Sequence, residues 1–430
     1  MAMGLFFLIF FVLIAIGAPM ALVFGGMSFL PGMLSASVPY TIDAAVRSMF
    51  SSLNSFTMLA VPLFMLSGVI MARGGISKKL FDFFAYFIGN KTAGLPCAVV
   101  LTCMFYGAIS GSSPATVSAV GAMCIPFLTS LNYDLVFATS IVTVAGGLGV
   151  IIPPSISYIV YSGASDTSPS DLFIAGILPG ILIGLCLCVC CYLHCLKSGE
   201  DKEKLKENYE ALHKLGFGAV FKESFAALLT PVIILGSIYG GICSPTEAAA
   251  VSVVYALVVS LFIYRTIQLK DVLTMFVEGA KSYIAILFII ASATAFGRCL
   301  TIMQYPQLVS KAILGTFSNK FAIILVMNVI LLVFGMIIDN IPNIMILTPI
   351  LLPIAKTIGM DPVHFGIMMT CNLAIGMVTP PMGINLYVAS GMTGVPVLKL
   401  AKACVPFLIA FFIALVVISF VPAVSLALIG

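Results

Sequence analysis

Apolar stretches long enough to cross a lipid bilayer recur along the whole chain, and they limit its fold more than any other feature. A membrane-crossing helix needs about 20 mostly apolar residues. Of the 430 residues, 61% are hydrophobic and 8% are charged, whereas a soluble domain carries about 25% charged residues. The sequence therefore predicts an all-α polytopic membrane protein with no room for a soluble domain.

The N-terminal apolar segment, residues 4–30, lacks the basic start and the small-residue cleavage site of a signal peptide. We interpret it as one retained helix with a kink at Pro19. Together with the polar stretch that follows, it forms a predicted scaffold helix and loop over residues 1–50. Five cysteines between 186 and 195 lie within one apolar run, which favours a packing role over a metal site with His194.

A polar break, Ser110-Gly-Ser-Ser-Pro114, lies inside the long apolar stretch 93–130. Gly and Pro interrupt a helix, and backbone groups freed in hydrocarbon each cost several kcal/mol unless something binds them. About 38 residues are too many for one crossing and too few for two crossings with a turn. The stretch therefore predicts a re-entrant hairpin of two half-length helices that meet at the polar break.

The next apolar stretch, 134–163, is interrupted near its middle by glycines and by Pro153-Pro154. Because a residue before proline avoids helical geometry, this stretch predicts a helix that is unwound at its centre. An interfacial arm helix is predicted at 80–89 and a full span at 171–196. Next come a charged cytoplasmic loop at 196–224, whose opposite charges favour helical i,i+4 pairing, and two scaffold helices within 225–277.

The pattern then repeats. Five pairs of residues stand 227 positions apart: Pro126 and Pro353, Asp134 and Asp361, Pro153 and Pro380, Pro154 and Pro381, and Pro179 and Pro406. The first repeat covers 51–195. The second covers 278–422 and predicts another hairpin at 321–355, with its polar turn at Ile338–Asn343, and another broken helix at 361–391.

Lysines concentrate in residues 197–223, and the positive-inside rule places such a segment in the cytoplasm. Counting spans from this segment, the first hairpin enters the membrane from the cytoplasm and the second enters from outside. The two repeats therefore have inverted topology. In transporters of this form, the binding site lies near the membrane midplane, where discontinuous helices meet.

Unwound carbonyls and helix C-termini suit a cation, while helix N-termini and hydroxyls suit a carboxylate. The first predicted cation site consists of Ser110, Ser112, Gly149, Ile152 and Pro154. The second site consists of Asp339, Asn340, Gly376, Thr379 and Pro381. The predicted substrate-binding residues are Ser112, Ser113, Asn343, Asn385 and Arg298.

Each of these predictions has a simpler alternative. Small residues also let membrane helices pack closely, although polar breaks at matching positions in both halves favour a binding site. Asp339 is an acid at membrane depth, which is a functional hypothesis by default, but it could also serve as a helix cap at the hairpin turn. Arg298 lies near a span end, where its side chain could reach the interface.

No motif of a hydrolase, metalloprotease or nucleotide-binding loop is present, and the net charge of +4 is too dispersed to indicate nucleic acid. A transporter of this form would use an ion gradient and not ATP. Enzymatic activity and a bound cofactor are therefore not expected.

Three motifs resemble the large membrane subunit of tripartite ATP-independent periplasmic (TRAP) transporters: residues 107–116 (GAISGSSPAT), 241–250 (GICSPTEAAA) and 379–386 (TPPMGINL). The resemblance covers essentially the whole chain. It implies a bacterial inner-membrane protein with an elevator mechanism, Na⁺ coupling and uptake of organic acids such as C4-dicarboxylates or sialic acid. The positions that bind Na⁺ in this family correspond to the residues of the two predicted cation sites.

The resemblance also implies two partners, a small membrane subunit of about four helices and a periplasmic binding protein that delivers the substrate. Two other readings remain open from the sequence. A stand-alone Na⁺/carboxylate symporter of similar repeat architecture would need no binding protein. An ion channel could also use re-entrant hairpins, although broken helices fit a pore lining poorly.

Overall fold

The computed structural model describes residues 3–34 and 40–429, and within these ranges it contains helices and no strands. Seven helices of this described part are long and apolar enough to cross a membrane. An eighth span results if a bent pair near the N-terminus is counted as one. The predicted all-α polytopic architecture is confirmed.

The N-terminal segment differs from the prediction of one kinked helix. Its two short helices are α1, Met3–Ala15, and α2, Met20–Leu34. Between them Gly17 adopts a φ of +79°, and Pro19 cannot donate the hydrogen bond that would continue a helix. The single-helix interpretation is therefore wrong, because the chain breaks where only a kink was expected.

Three helices lead from here to the first hairpin: α3, Ile42–Leu53; α4, Ala60–Arg73; and α5, Ile76–Ile88. A bend of 65° separates α3 from the span that contains α4. Helix α5 corresponds to the predicted arm and begins four residues earlier than expected, directly after Gly75 in the left-handed region, with a φ of +68°. Only glycine adopts this conformation without strain.

The first half continues with the hairpin and the broken helix: α6, Gly94–Ser110; α7, Ser113–Ser130; α8, Leu135–Ala145; α9, Ile156–Ser165; and α10, Pro169–Ser198. The hairpin arms have 17 and 18 residues, about 26 Å each. They are therefore longer than the half-length helices predicted. Their tip lies beside the break between α8 and α9, partway through that span, as a re-entrant hairpin requires.

Within the charged loop after α10, most residues form a helix, as the i,i+4 spacing of its charges favours. This helix is α11, Lys202–Lys214, and is followed by α12, Phe217–Tyr239, and α13, Pro245–Val258. The Asp201 side chain caps α11, and His213 and Lys214 lie in its last turn. This charge order stabilises a helix through its dipole.

The short connection between α10 and α11 holds the base of the first hairpin. Glu200 accepts hydrogen bonds from the Ala93 N–H, at 3.0 and 3.2 Å, and from the Tyr133 hydroxyl. Lys204 donates to the Ser130 carbonyl at 3.1 Å. The Lys204 N–H and the Asn132 amide, which donate to Asp201, keep the pKa of its carboxyl below the ordinary value. Both arms of the hairpin are thereby joined at one end.

We expect Glu200→Ala to lower the free energy of unfolding by about 1–3 kcal/mol, because the Ala93 N–H loses its partner. Thermal unfolding of the purified protein measures this effect. Glu203→Ala is the matched control, since Glu203 is an exposed acid on α11. Equal unfolding temperatures for the two variants would contradict a role for Glu200 at the hairpin base.

The second half repeats this order of elements: α14, Leu269–Ile302; α15, Tyr305–Thr316; α16, Lys320–Ile337; α17, Asn340–Thr357; α18, Pro362–Gly376; α19, Ile384–Thr393; α20, Val397–Phe420; and α21, Ala423–Leu426. An arm-like helix, α15, precedes the second hairpin as α5 precedes the first. Helix α18 is buried from Val363 to Gly376 and α8 from Phe137 to Ala145. The first segments of the two broken helices, α8 and α18, thus lie in the protein core.

Candidate functional site

The tip of the first hairpin packs directly on the break between α8 and α9. A Cβ added at Gly107 would lie 2.7 Å from the Gly149 Cα, and one added at Gly149 would lie 2.7 Å from the Ser112 carbonyl oxygen. Real side chains do not fit at such distances. These glycines allow the backbone of the hairpin to contact the backbone of the broken helix.

Three oxygens converge at this contact. The Thr116 hydroxyl is 2.8 Å from the Ser112 carbonyl oxygen and 3.1 Å from the Ser110 hydroxyl, which is itself 3.3 Å from the same carbonyl. A Cβ on Gly149 would meet the Thr116 Oγ1 at 2.5 Å. Clustered hydroxyl and carbonyl oxygens in an apolar setting are the ligands that a hard cation prefers.

Pro154 also lies at this contact, whereas the Ile152 side chain packs elsewhere, against α10. Gly111 has a φ of +61°, and a Cβ there would lie 3.1 Å from the Pro154 carbonyl oxygen. The Ile152 side chain contacts Gly180 of α10. The structure therefore brings together Ser110, Ser112, Gly149 and Pro154, and it directs the Ile152 side chain away from the tip.

The second hairpin approaches its broken helix through another pair of glycines. A Cβ on Gly376 would lie 2.5 Å from the carbonyl carbon of Gly335, and the Met382 N–H donates to the Met336 carbonyl at 3.0 Å. Gly335 is 228 residues after Gly107, and Gly376 is 227 residues after Gly149. The same close approach thus occurs in both halves of the molecule.

Asp339 caps α17, as the simpler alternative proposed. Its Oδ1 accepts from the Asn340 N–H at 2.7 Å, and its main-chain oxygen accepts from the Asn343 N–H at 3.2 Å. The Asn343 amide in turn donates to the carbonyls of Phe334 and Ile338, at the C-terminal end of α16. Capping occupies one carboxylate oxygen, and a carboxylate has further lone pairs for another ligand.

Each hairpin tip is also hydrogen-bonded to the broken helix of the other half. The Asn340 amide donates to the Ser157 hydroxyl of α9 at 2.6 Å. The Asn385 amide of α19 donates to the Ser113 hydroxyl at 2.7 Å and to the Thr143 carbonyl at 3.2 Å. All four of these side chains are buried. The predicted substrate residues Ser113 and Asn385 therefore contact each other, and each hairpin tip has a polar contact with the opposite half.

Two acceptors at the second hairpin tip have no hydrogen-bond partner, the Oδ1 atoms of Asn340 and Asn343. Asn340 is 2% exposed and Asn343 is fully buried. Because an unsatisfied buried acceptor costs about 1–3 kcal/mol, such atoms call for a water, an ion or a ligand. The residues present therefore fit a cation or a polar substrate at the second hairpin tip.

Three other predicted residues lie outside these clusters. The Thr379 hydroxyl donates to the Ile375 carbonyl within its own turn, and the Pro381 carbonyl accepts from the exposed Tyr387. Arg298 is exposed, and its guanidinium donates to Ser48 of α3 at 3.2 Å. Within the described residues, none of the three forms a hydrogen bond to either hairpin tip.

Several contact residues were absent from the predicted sites, among them Gly107, Thr116, Ser157 and Gly335. Gly107 and Gly335 could have been found from the repeat, since they are 228 residues apart, as are Pro114 and Pro342 at the two hairpin tips. Thr116 follows Ser112 by one helical turn, and this periodicity is a weak signal. Nothing in the sequence pairs Ser157 with Asn340, because that contact joins the two halves.

Comparison with known proteins identifies the family of this chain. Residues 7–424 match the family described as tripartite ATP-independent periplasmic transporter, DctM component. The chain belongs to this TRAP transporter family. The resemblance noted in the three motifs is thereby confirmed along nearly the full length.

Several individual TRAP permeases are similar to the chain. It is 40% identical over 393 residues to the C4-dicarboxylate TRAP transporter large permease protein DctM of Pseudomonas aeruginosa, covering 91% of this chain and 90% of that protein. It is 34% identical to the sialic acid TRAP transporter large permease protein SiaM of Vibrio cholerae, covering 90% of this chain and 89% of that protein.

The isethionate TRAP transporter permease protein DctMQ of Oleidesulfovibrio alaskensis is 38% identical, covering 98% of this chain and 65% of that protein. This chain therefore spans about two thirds of the length of DctMQ. As a member of the TRAP permease family with seven or more candidate spans in its described part, the protein is a multi-pass inner-membrane protein.

Proposed function

We propose that this permease couples the inward movement of Na⁺ to the uptake of an organic acid, and that the hairpins and broken helices move together as an elevator. The observation that carries the proposal is the paired contact of Gly107 with Gly149 and of Gly335 with Gly376. Each contact brings carbonyl oxygens of a hairpin to an unwound helix, where transporters of this type bind their coupling ions.

At the first site, Na⁺ would be held by the Ser112 carbonyl, the Ser110 and Thr116 hydroxyls, and backbone oxygens near Gly149 and Pro154. At the second site, Asp339 would supply a charge, together with the backbone of Gly335 and Gly376 and the Asn340 side-chain oxygen. Thr379 and Pro381 remain proposed ligands through their backbone oxygens. The proposed role of Ile152 is likewise limited to its main chain, since its side chain contacts α10.

The substrate is an organic acid in this proposal. The names of related permeases include C4-dicarboxylate, sialic acid, 2,3-diketo-L-gulonate and isethionate, and all four substrates are anions. Helices α7 and α17 begin at the hairpin tips with Ser113 and Asn340. Their N-terminal N–H groups provide favourable positions for a carboxylate. The substrate would be oriented there by Asn343, Asn385 and the Ser112 hydroxyl. Arg298 would contact the substrate only after its guanidinium leaves Ser48.

The elevator proposal rests on how the hairpins are attached. Hydrogen bonds between Asn340 and Ser157, and between Asn385 and Ser113, join both tips to both broken helices. Such a unit moves most readily as one body, because separating a tip from its helix would break buried hydrogen bonds. The scaffold would consist of α1, α2, α3, α12 and α13, and a small membrane subunit would bind to it. A periplasmic binding protein would deliver the substrate.

We expect substrate uptake into proteoliposomes only when Na⁺, the small membrane subunit and a cognate binding protein are all present. Radiolabelled C4-dicarboxylate and sialic acid are suitable first substrates, and ATP should have no effect. Controls that omit one component at a time should reduce uptake to the level of empty liposomes.

Uptake by this chain alone would instead favour a stand-alone Na⁺/carboxylate symporter. A Na⁺ current that persists without substrate would favour an ion channel. Full uptake in K⁺ buffer with no Na⁺ would contradict Na⁺ coupling while leaving the family assignment intact.

A further inference from the structure

A polar network inside the second half connects three membrane helices. The Asn372 amide of α18 donates to the side-chain oxygen of Asn328 at 2.8 Å and to its main-chain oxygen at 3.0 Å. The Asn328 amide of α16 donates to the Ser419 hydroxyl of α20 at 3.3 Å. Polar side chains at membrane depth are costly, and they commonly mark the paths of ions or substrates.

Helix association alone does not explain this network. Interhelical hydrogen bonds do hold membrane helices together, and the amide nitrogens of both asparagines serve this purpose. However, Asn372 is 1% exposed and its Oδ1 has no partner. Leaving this acceptor unsatisfied loses about as much as one hydrogen bond contributes, so the interhelical contacts alone do not account for the Asn372 side chain.

The first half supports the same conclusion. By the repeat spacings, Asn328 corresponds to Val100 and Asn372 corresponds to Ala145. Helices α6 and α8 therefore pack in the first half with apolar residues at these positions. The fold does not require the two asparagines, and their role is specific to the second hairpin.

One end of the network opens into a cavity. Ser419 lines a cavity of about 310 Å³ together with Lys320, Asp361, His364 and Pro422. The cavity lies at the base of the second hairpin, where α16 and α18 begin. The charge distribution of the sequence places this end of the hairpin on the periplasmic side. The lining carries both signs of charge, on Lys320 and Asp361, and the Ser419 hydroxyl, while the other lining side chains are mostly apolar.

The other end of the network approaches the second break. Gly376 follows Asn372 by four residues, about one helical turn or 6 Å along α18. Gly335 follows Asn328 by seven residues, about two turns along α16. These are the two glycines whose backbones meet at the proposed second cation site. Polar atoms thus extend from the cavity toward that site along the seam between α16 and α18.

We propose that Asn328, Asn372 and Ser419 line a hydrated path by which the coupling cation passes between the periplasmic cavity and the second hairpin site. The inference rests on the proposed Na⁺ coupling. The unpartnered Asn372 Oδ1 receives the hydrated cation or its water on the way. The path governs the rate at which the cation reaches the site and leaves its equilibrium affinity unchanged.

The test uses the variants Asn328→Val and Asn372→Ala, which introduce the residues found at the corresponding positions of the first half. Uptake is measured in proteoliposomes that also contain the small subunit and the binding protein. We expect initial uptake at low external Na⁺ to fall by about tenfold or more, since each variant removes at least one polar group from the path. The Na⁺ concentration that gives the half-maximal rise in unfolding temperature should stay within about twofold of wild type.

Two further variants keep the test informative. Ser419→Ala removes only a hydroxyl, and it should lower uptake at low Na⁺ by about threefold even if an asparagine variant folds poorly. Thr370→Val is the matched control and should transport as wild type. Thr370 is also buried on α18 with an unpartnered hydroxyl, but it lies two residues from Asn372, about 200° around the helix.

Several outcomes would overturn the inference. Wild-type uptake rates in Asn328→Val, Asn372→Ala and Ser419→Ala would do so. A Na⁺ midpoint that shifts in step with the uptake rate would place the asparagines in the binding site and not in a path. Wild-type uptake that does not depend on Na⁺ would overturn the proposed function, and this inference with it.

Discussion

Asp339→Asn should abolish Na⁺-dependent uptake while the protein still inserts and folds. Asparagine caps a helix about as well as aspartate, so the bond from the Asn340 N–H survives this substitution. What is lost is the negative charge beside the proposed ion. Removing one member of a buried charge pair costs about 2–5 kcal/mol, which weakens Na⁺ binding by roughly 30-fold or more.

The measurement is uptake as a function of Na⁺ concentration, with unfolding temperature as the folding check. Asp339→Ala removes both charge and cap, and it should lose uptake together with some stability. Asp134→Asn is the matched control, because Asp134 caps α8 from the end of the first hairpin and accepts from the Phe137 N–H. Full activity of Asp339→Asn would reduce Asp339 to a helix cap.

Gly376→Ala and Gly149→Ala should each reduce uptake by at least about tenfold without preventing insertion. The added methyl group of Gly376→Ala would lie 2.5 Å from the Gly335 carbonyl carbon, and that of Gly149→Ala 2.5 Å from the Thr116 hydroxyl. Overpacking of this kind costs about 1–3 kcal/mol. Since the Gly335 backbone cannot rotate away as a side chain could, the hairpin tip must move off the break.

Gly236→Ala on α12 serves as the control for these variants. A Cβ at Gly236 meets no atom within 4 Å, and alanine in a helix is more favourable than glycine by about 1 kcal/mol. This variant should therefore transport as wild type and unfold at the same temperature or slightly higher. Wild-type uptake in both Gly149→Ala and Gly376→Ala would refute the idea that the glycine contacts hold the ion sites.

The helices of this protein followed closely from local sequence. The hairpins predicted at 93–130 and 321–355 correspond to α6–α7 and α16–α17, because polar turns with glycine, proline or a capping residue end helices wherever they occur. The error at the N-terminus has a local cause, because Gly17 and Pro19 end α1 where only a kink was expected. In residues 202–214 the i,i+4 charge spacing favours the helix that forms there.

The sequence by itself thus determined the all-helical membrane architecture, the repeat and the positions at which its helices break. Hydrophobic length and backbone-breaking residues act over a few turns, so they can be read along the chain. It also indicated both hairpin tips as the polar positions of the molecule. Ser110, Ser112, Gly149 and Pro154 do meet at the first tip.

Only the tertiary structure decided which polar groups face one another. It paired Asn340 with Ser157 and Ser113 with Asn385 across the two halves, and it directed Arg298 to Ser48 on α3. These partners are separated by 183, 272 and 250 residues. Such contacts depend on how the two repeats pack against each other, and no local pattern of residues encodes that arrangement.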